Sequence, residues 1–535
     1  MGFTMVDVLL TLIPVILVFV LMIAFKVAGD IAGVIGWVVV LIIAVLFFST
    51  PIDVGLLASA KGALASMAIT GMTIFAILQI TFIQETGALK RIVVAIKTLA
   101  HSDKPAQLMI MNVCIGTILV SVGATPVTIL PPILLAMGYT TVMAIALPAI
   151  GFDALCTYAM LAAPVVVLAD ILNGTGYLIN GDPATIQNVS TYFVHYLPVI
   201  TPCICAAIVL MVGGPKLLAK GILPVLITGL SMGFTAIAVT YLNIGIVLTG
   251  VTAGAVGLLL MLLYMKIRKI PIIDRSILSD EDLEVEKSIP LWKAFTPWGL
   301  LILFCIITNF VPPLYELLYK SWEMRVILWP GDAGQPLRVI WNAYFWVLVS
   351  TILASIVIRP KEGWGKVIKV WLKRCYRPTI ASIVFFMLAY VMMYSAMDFT
   401  GDGGALVATD PTRNMIYIWA MAAADAFQGA YPIANSFLGL VSGFVTGSET
   451  STIALFAKYN VISSQELGFN AVYVIAGGGI GAGLASVVTP VKLQQASSTI
   501  DAIGQESIVL RKVVLYAVAL VAVSAVMTMI FVMTS

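Results

Sequence analysis

Apolar stretches of roughly twenty residues recur along the whole chain, and they limit what it can fold into before any motif is read. Twelve are legible, at 6–25, 31–49, 64–84, 141–170, 191–213, 221–241, 243–265, 294–318, 338–358, 378–398, 468–497 and 512–533. About 20 apolar residues in an α-helix cross the hydrocarbon core of a bilayer. The sequence therefore predicts an all-α polytopic membrane protein. Composition agrees: of 535 residues, 61% are hydrophobic and 10% charged, with a mean hydropathy of +1.07. The longest charged loop, from about Lys266 to Lys287, is too short to fold alone. A net charge of +3 spread over short loops offers no surface for nucleic acid. The six cysteines lie mostly inside apolar stretches and read as packing residues, and the two histidines stand too far apart for a metal centre. No cofactor is expected. The first apolar run has no basic stretch before it and no small-residue cleavage site, so it reads as a first span.

Two further stretches, about 107–138 and 432–457, are apolar at both ends and interrupted by glycine and small polar residues. Each is too short for two crossings and fits two half-helices that enter and leave on one side. With the N-terminus outside and both stretches re-entrant, 22 of the 29 lysines and arginines fall on the cytoplasmic side, six outside, and Lys492 within a span. That asymmetry fits the positive-inside rule and leaves both termini outside. "VGATPVTI" (122–129) aligns with "TGSETSTI" (446–453), so that Gly123 and Gly447, and Thr128 and Thr452, each stand 324 apart. Each stretch precedes a span that is itself broken, 141–170 and 468–497. The pattern predicts two inverted repeats, 1–215 and 291–535, joined by two linking spans and a cytoplasmic loop over 216–290. Inverted repeats with discontinuous helices are the plan of secondary transporters.

Non-helical backbone survives in a bilayer only where it lines a protein-enclosed cavity. A hairpin tip there presents the unsatisfied N–H groups and positive dipole end of its second half-helix, which attract anions. In the second tip Gly447 permits the turn, and Ser448, Thr450 and Ser451 supply hydroxyls. In the first, Gly123, Thr125 and Thr128 play the same parts, with Pro126 suited to the first helical turn. The same residues serve as N-caps of buried helices, and capping does not exclude binding. Ionisable residues within spans are costly and default to function. Glu449 at the second tip and Asp153 in the first broken span are the proton-coupling candidates; Asp153 has a second reading as the cap of its own helix break. Lys492 has three readings: it pairs a substrate carboxylate, neutralises Glu449 or Asp153, or reaches the interface from a span that ends early. Gln494 and Gln495 are candidate donors beside it, and Thr157 joins the binding set from the first broken span. The glycine run 477–483 follows no strand, so it is not read as a nucleotide loop. No continuous polar pore lining and no nucleophile-base set is visible, which favours a transporter over a channel or an enzyme.

Three segments together resemble the lactate permease family: "FLGLVSGFVTGSETSTIALFA" (437–457), "AGGGIGAGLASVVTPVKLQQAS" (476–497) and "GQESIVLRKVV" (504–514). "LWKAFTPW" (291–298) is similar to that family's entry to a span. The resemblance covers most of the chain in layout and is specific mainly over 437–514. It implies proton-coupled uptake of small 2-hydroxy monocarboxylates such as L-lactate and glycolate. A hydroxyl-rich hairpin tip can equally supply oxygen ligands to Na⁺, so sodium coupling or another small carboxylate is the alternative. The resemblance also implies a scaffold domain, a mobile domain with two hairpins moving as an elevator, a homodimer, and a bacterial or archaeal plasma membrane. The chain departs from the family pattern in three places. Its first tip, "VSVGATPVT" (120–128), is shorter and lacks a glutamate; Thr489-Pro490-Val491-Lys492 replaces Ser-Pro-Gln-Ser; and Asp153 stands where asparagine is usual.

Overall fold

A computed structural model describes residues 3–121, 125–151, 154–332, 334–400 and 404–535. Gly123 and Asp153 lie outside these residues. Among the described residues, eleven helices are long and apolar enough to cross a membrane. The only sheet among them is two short antiparallel pairs, Met324–Val326 with Gln335–Leu337 and Met397–Phe399 with Leu406–Ala408. The polytopic all-α class expected from the apolar runs is what the chain adopts.

The first half contains α1 (Met5–Ile23), α2 (Gly29–Phe47), α3 (Ile52–Ala65), α4 (Met67–Thr86) and the amphipathic α5 (Ala88–Thr98). Helix α6 (Lys104–Ser121) carries a π-helical stretch at Met109–Ile115. Then come α7 (Pro126–Ala136), α8 (Thr141–Gly151), α9 (Ala159–Thr175) and α10 (Ile186–Val194). Helix α3 was not among the expected spans; it is 14 residues long and carries Asp53 and Lys61, so no apolar run marks it.

The stretch Leu197–Tyr241 was expected as spans 191–213 and 221–241 with a loop between. It is helical throughout except at Gly213 and Gly214, where Gly214 takes a positive φ of 64°. The two arms, α11 (197–212) and α12 (215–241), fold back on each other. A methyl at Gly229 would lie 2.5 Å from Pro202 Cα, and one at Gly233 would lie 2.7 Å from Pro198 Cα. Small residues four apart let the two backbones touch, so the glycine pair at 213–214 replaces the longer loop.

The second half runs through α13 (Thr249–Ile267), α14 (Asp280–Ser288), α15 (Leu291–Phe310), α16 (Ala343–Val357), α17 (Gly363–Met393) and α18 (Met415–Phe427). It ends with α19 (Tyr431–Thr446), α20 (Glu449–Leu467), α21 (Ala471–Leu484), α22 (Pro490–Thr499) and α23 (Glu506–Thr534). Two packing groups result. In one, α17 packs on α2, α3 and α4, and α16 on α4 and α15. In the other, α21 receives α19 and α20, α9 lies on α20, and α22 lies on α7 and α8. The groups meet where α22 touches α17 and α2. There Arg377 donates to Asp30 through Nε and Nη2, both at 2.8 Å, and Gln494 Nε2 donates to the same carboxylate at 2.8 Å.

The glycine run of 477–483 lies inside α21, and backbone contact explains it. A methyl at Gly481 would fall 2.1 Å from Ser436 O, and one at Gly439 would fall 1.9 Å from Gly478 O. Helices α19 and α21 thus cross with no side chain between them.

Candidate functional site

Both helix pairs break at the same place. The second breaks at Gly447, whose positive φ of 67° ends α19 in a left-handed cap. Ser448 then opens α20 as its N-cap, its Oγ accepting from Ser451 N at 3.2 Å. The fold back of the pair is fixed from within by Ser442 Oγ and Thr452 Oγ1, 2.9 Å apart. In the first pair Thr125 precedes Pro126 at the head of α7. The two broken spans supply the other walls. The first turn of α9 is left-handed at Met160, Leu161 and Ala162, three residues that are not glycine. Each such residue costs about 1–2 kcal/mol, and strain of this kind gathers where a site requires it. The second break lies between α21 and α22, with Thr489 and Pro490 starting the new helix.

These four breaks enclose a cavity of about 80 Å³. Its lining includes Thr125, Cys156, Met160, Thr446, Gly447, Ser448, Glu449, Thr450, Val491, Lys492 and Gln495, and Ala68, Ile69 and Met72 of α4 close it. Glu449 is 3% exposed. Its Oε1 accepts from Thr157 Oγ1 at 2.8 Å. Its Oε2 has no N–H or O–H donor among the described residues, although the thiol of Cys156, a weak donor, neighbours the carboxyl. Gly483 makes room for that oxygen, since a methyl there would lie 2.8 Å from it. Lys492 is 8% exposed, donates to Ser486 Oγ, and lies within electrostatic reach of Glu449. Of its three readings the interfacial one does not hold: Lys492 is buried and lines the cavity. Gln495 also lines it and donates to Thr73 Oγ1 of α4.

Not every candidate reaches the cavity wall. Thr128 is buried beneath Thr125, donating to Thr125 O at 2.8 Å with its Oγ1 3.1 Å from Thr125 Oγ1. Ser451 contributes its backbone N–H to the cap of α20. Gln494 points the other way, to Asp30, and so ties α22 to the group containing α2 and α17. Cys156, Ser486 and Thr73 were missed. Thr73 sits in ordinary helical sequence and Ser486 in the 3₁₀ turn between α21 and α22, and both gain their roles only from what packs beside them. Among the described residues no cluster of His, Cys, Asp and Glu could hold a metal.

Such a site can hold one small anion against a lysine, two helix N-termini and several hydroxyls, with a carboxyl beside it to exchange a proton. Comparison with known proteins identifies the family. Residues 7–534 match the L-lactate permease family. The L-lactate permease of Bacillus subtilis (strain 168) is 26% identical over 181 residues, 33% of this chain and 28% of that protein. The L-lactate permease of Streptococcus iniae is 25% identical over 185 residues, 34% and 35% of the two chains. That of Salmonella typhi is 31% identical over 78 residues, 15% and 14% of the two. These alignments span about a third or less of each relative. The family match, in contrast, runs through both helix pairs and both broken spans, and the chain belongs to the L-lactate permease family.

Proposed function

We propose that this protein is a proton-coupled secondary transporter of small 2-hydroxy monocarboxylates, L-lactate first and glycolate with it. The observation that carries the reading is the presence of both Glu449 and Lys492 in the wall of one enclosed cavity at the meeting of four helix breaks. The substrate carboxylate lies against Lys492 and the N-terminal turns of α7 and α20. Its 2-hydroxyl meets Gln495 and the hydroxyls of Thr125, Ser448 and Thr450. Charge balance supplies the coupling. Glu449 and Lys492 together are neutral, so a bound anion leaves one uncompensated negative charge in a dry site, which is costly. A proton on Glu449 removes it, and anion and proton then travel together. Gly123 joins the binding set in this reading and Asp153 is a second proton-coupling residue; both lie outside the described residues.

In this reading 1–215 and 291–535 are inverted repeats, both termini face outward, and the protein works as a homodimer in the plasma membrane. The group containing α7, α9, α20 and α22 moves against the group containing α2, α4 and α17. Support comes from the recurrence, in each half, of a helix pair broken at its tip followed by a broken span.

The experiment is uptake of labelled L-lactate into proteoliposomes under an imposed pH gradient and, separately, a sodium gradient. Accumulation driven by inward protons is expected. Accumulation driven by sodium alone would replace the coupling ion, and no lactate uptake under either gradient would overturn the substrate.

A further inference from the structure

Behind the first helix pair lies a second, larger cavity of about 580 Å³, separate from the anion site. Its walls are apolar: Met111, Ile115 and Leu119 of α6, and Ile129, Leu130 and Ile133 of α7. Opposite them stand α5 and the start of α15. At about 30 Å³ per water molecule the space would take on the order of twenty waters. Walls of this kind give such waters nothing to bond, and a void of this size left empty would cost many dispersion contacts. Hydrocarbon suits it. The cavity opens beside Phe295 and Leu291, 36% and 37% exposed on α15, so a chain can enter from the bilayer.

The cavity's charged lining residues, Arg91, Arg275 and Glu286, form a polar rim. Arg91 and Arg275 both bond to Glu286, Arg91 through Nη2 to Oε1 at 3.3 Å and Arg275 through Nη2 to Oε2. Two guanidinium groups share one carboxylate, which leaves one positive charge. The Arg275 side chain is 64% exposed, so its remaining donors face outward. Trp298, 7% exposed, also lines the cavity, and its indole N–H has no acceptor among the described residues. The lining thus offers guanidinium groups, one indole N–H without an acceptor and aliphatic walls. A phospholipid brings the groups that match them: a phosphate, an ester carbonyl and an acyl chain.

We propose that this cavity is a binding site for one anionic phospholipid, whose phosphate lies on Arg275 and Arg91 and whose acyl chain fills the space between α15 and the back of α6 and α7. The lipid then bears on the helix pair that carries Thr125, and its occupancy sets how readily that pair shifts. The rim lies on the side that the lysine and arginine distribution assigns to the cytoplasm, where anionic headgroups attract basic residues. The site is independent of what the central cavity transports.

The test uses the full chain, delipidated in a neutral detergent, and follows its thermal unfolding midpoint as phosphatidylglycerol or phosphatidylcholine is added. Gly299 of α15 lines the cavity, and a methyl on it meets nothing within 4 Å. Gly299→Trp therefore plugs the space without a backbone clash. Wild type is expected to be stabilised by phosphatidylglycerol at lower concentration than by phosphatidylcholine. Arg275→Gln should weaken the phosphatidylglycerol effect about fivefold, the share of one basic group at a membrane surface, and leave phosphatidylcholine unchanged. Gly299→Trp should abolish the response to both. Equal stabilisation of wild type by the two lipids, or an Arg275→Gln variant with wild-type response, overturns the proposal. Should Gly299→Trp not fold, the Arg275→Gln comparison decides alone.

Discussion

In the proposed mechanism Glu449 carries the proton because of what surrounds each of its two oxygens. Oε1 has the Thr157 hydroxyl at 2.8 Å, while Oε2 faces the bare Cα of Gly483. A carboxyl in the cavity wall with an N–H or O–H donor on one oxygen only is placed to gain or lose a proton as the cavity fills. Glu449→Gln keeps the shape and the Thr157 bond but fixes the group as neutral. Uptake against a concentration gradient driven by pH should vanish in this variant. Exchange of labelled for unlabelled lactate at equal pH, which needs no net proton movement, should persist. Loss of both, with the protein still folded, would place Glu449 in anion binding rather than in coupling. The acid and the lysine were legible in the sequence, since an ionisable residue in an apolar run is conspicuous. That Thr157 bonds Glu449 across 292 positions of chain was not, because hydroxyls are common in helices and sequence gives no pairing for them.

At the scale of the element, packing without side chains explains the glycines. Helices α19 and α21 approach so closely that a single methyl at Gly481 meets a backbone oxygen at 2.1 Å. Backbone cannot move aside as a side chain does, so Gly481→Ala should cost about 1–3 kcal/mol, read as a lower thermal midpoint in detergent. An unchanged midpoint would mean that α19 and α21 do not cross as described. The glycine run was legible as unfit for a nucleotide loop, but its partner helix was not. Element boundaries divide in the same way. Helices α1, α2 and α13 follow their apolar runs closely, whereas α17 begins at Gly363, well before the apolar run at 378. Its first turns carry Lys366, Lys369, Lys373, Arg374 and Arg377, charges that hydropathy excludes and helix geometry tolerates.

Over the whole molecule, the two packing groups are joined at α22. Gln494 bonds Asp30 of α2 while the adjacent Gln495 bonds Thr73 of α4, so the helix that presents Lys492 to the cavity is also the one held by the opposite group. If that group slides during transport, a covalent tie should stop it. A methyl at Gly29 would lie 3.1 Å from Pro490 Cβ, a few tenths of an ångström shorter than the roughly 3.5–4.5 Å a disulfide spans, so the two helices need only part slightly to admit one. Oxidising a Gly29→Cys, Pro490→Cys double variant should abolish lactate uptake, and reduction should restore it. Both single variants should be insensitive to oxidation, and a cross-linked double variant that still transports would rule out movement at this contact. The sequence alone determined that the chain is helical and polytopic, because hydrocarbon admits few other backbones and apolar length records each crossing. It also determined where the polar breaks fall, because their cost makes them stand out from apolar surroundings. Only the tertiary structure decided which breaks converge. It sent Gln495 to the cavity and Gln494 to Asp30, paired Glu449 with Thr157, and left an apolar space behind α7. Those outcomes depend on how helices far apart in sequence cross, and helix crossing is set by side-chain volume on both partners at once.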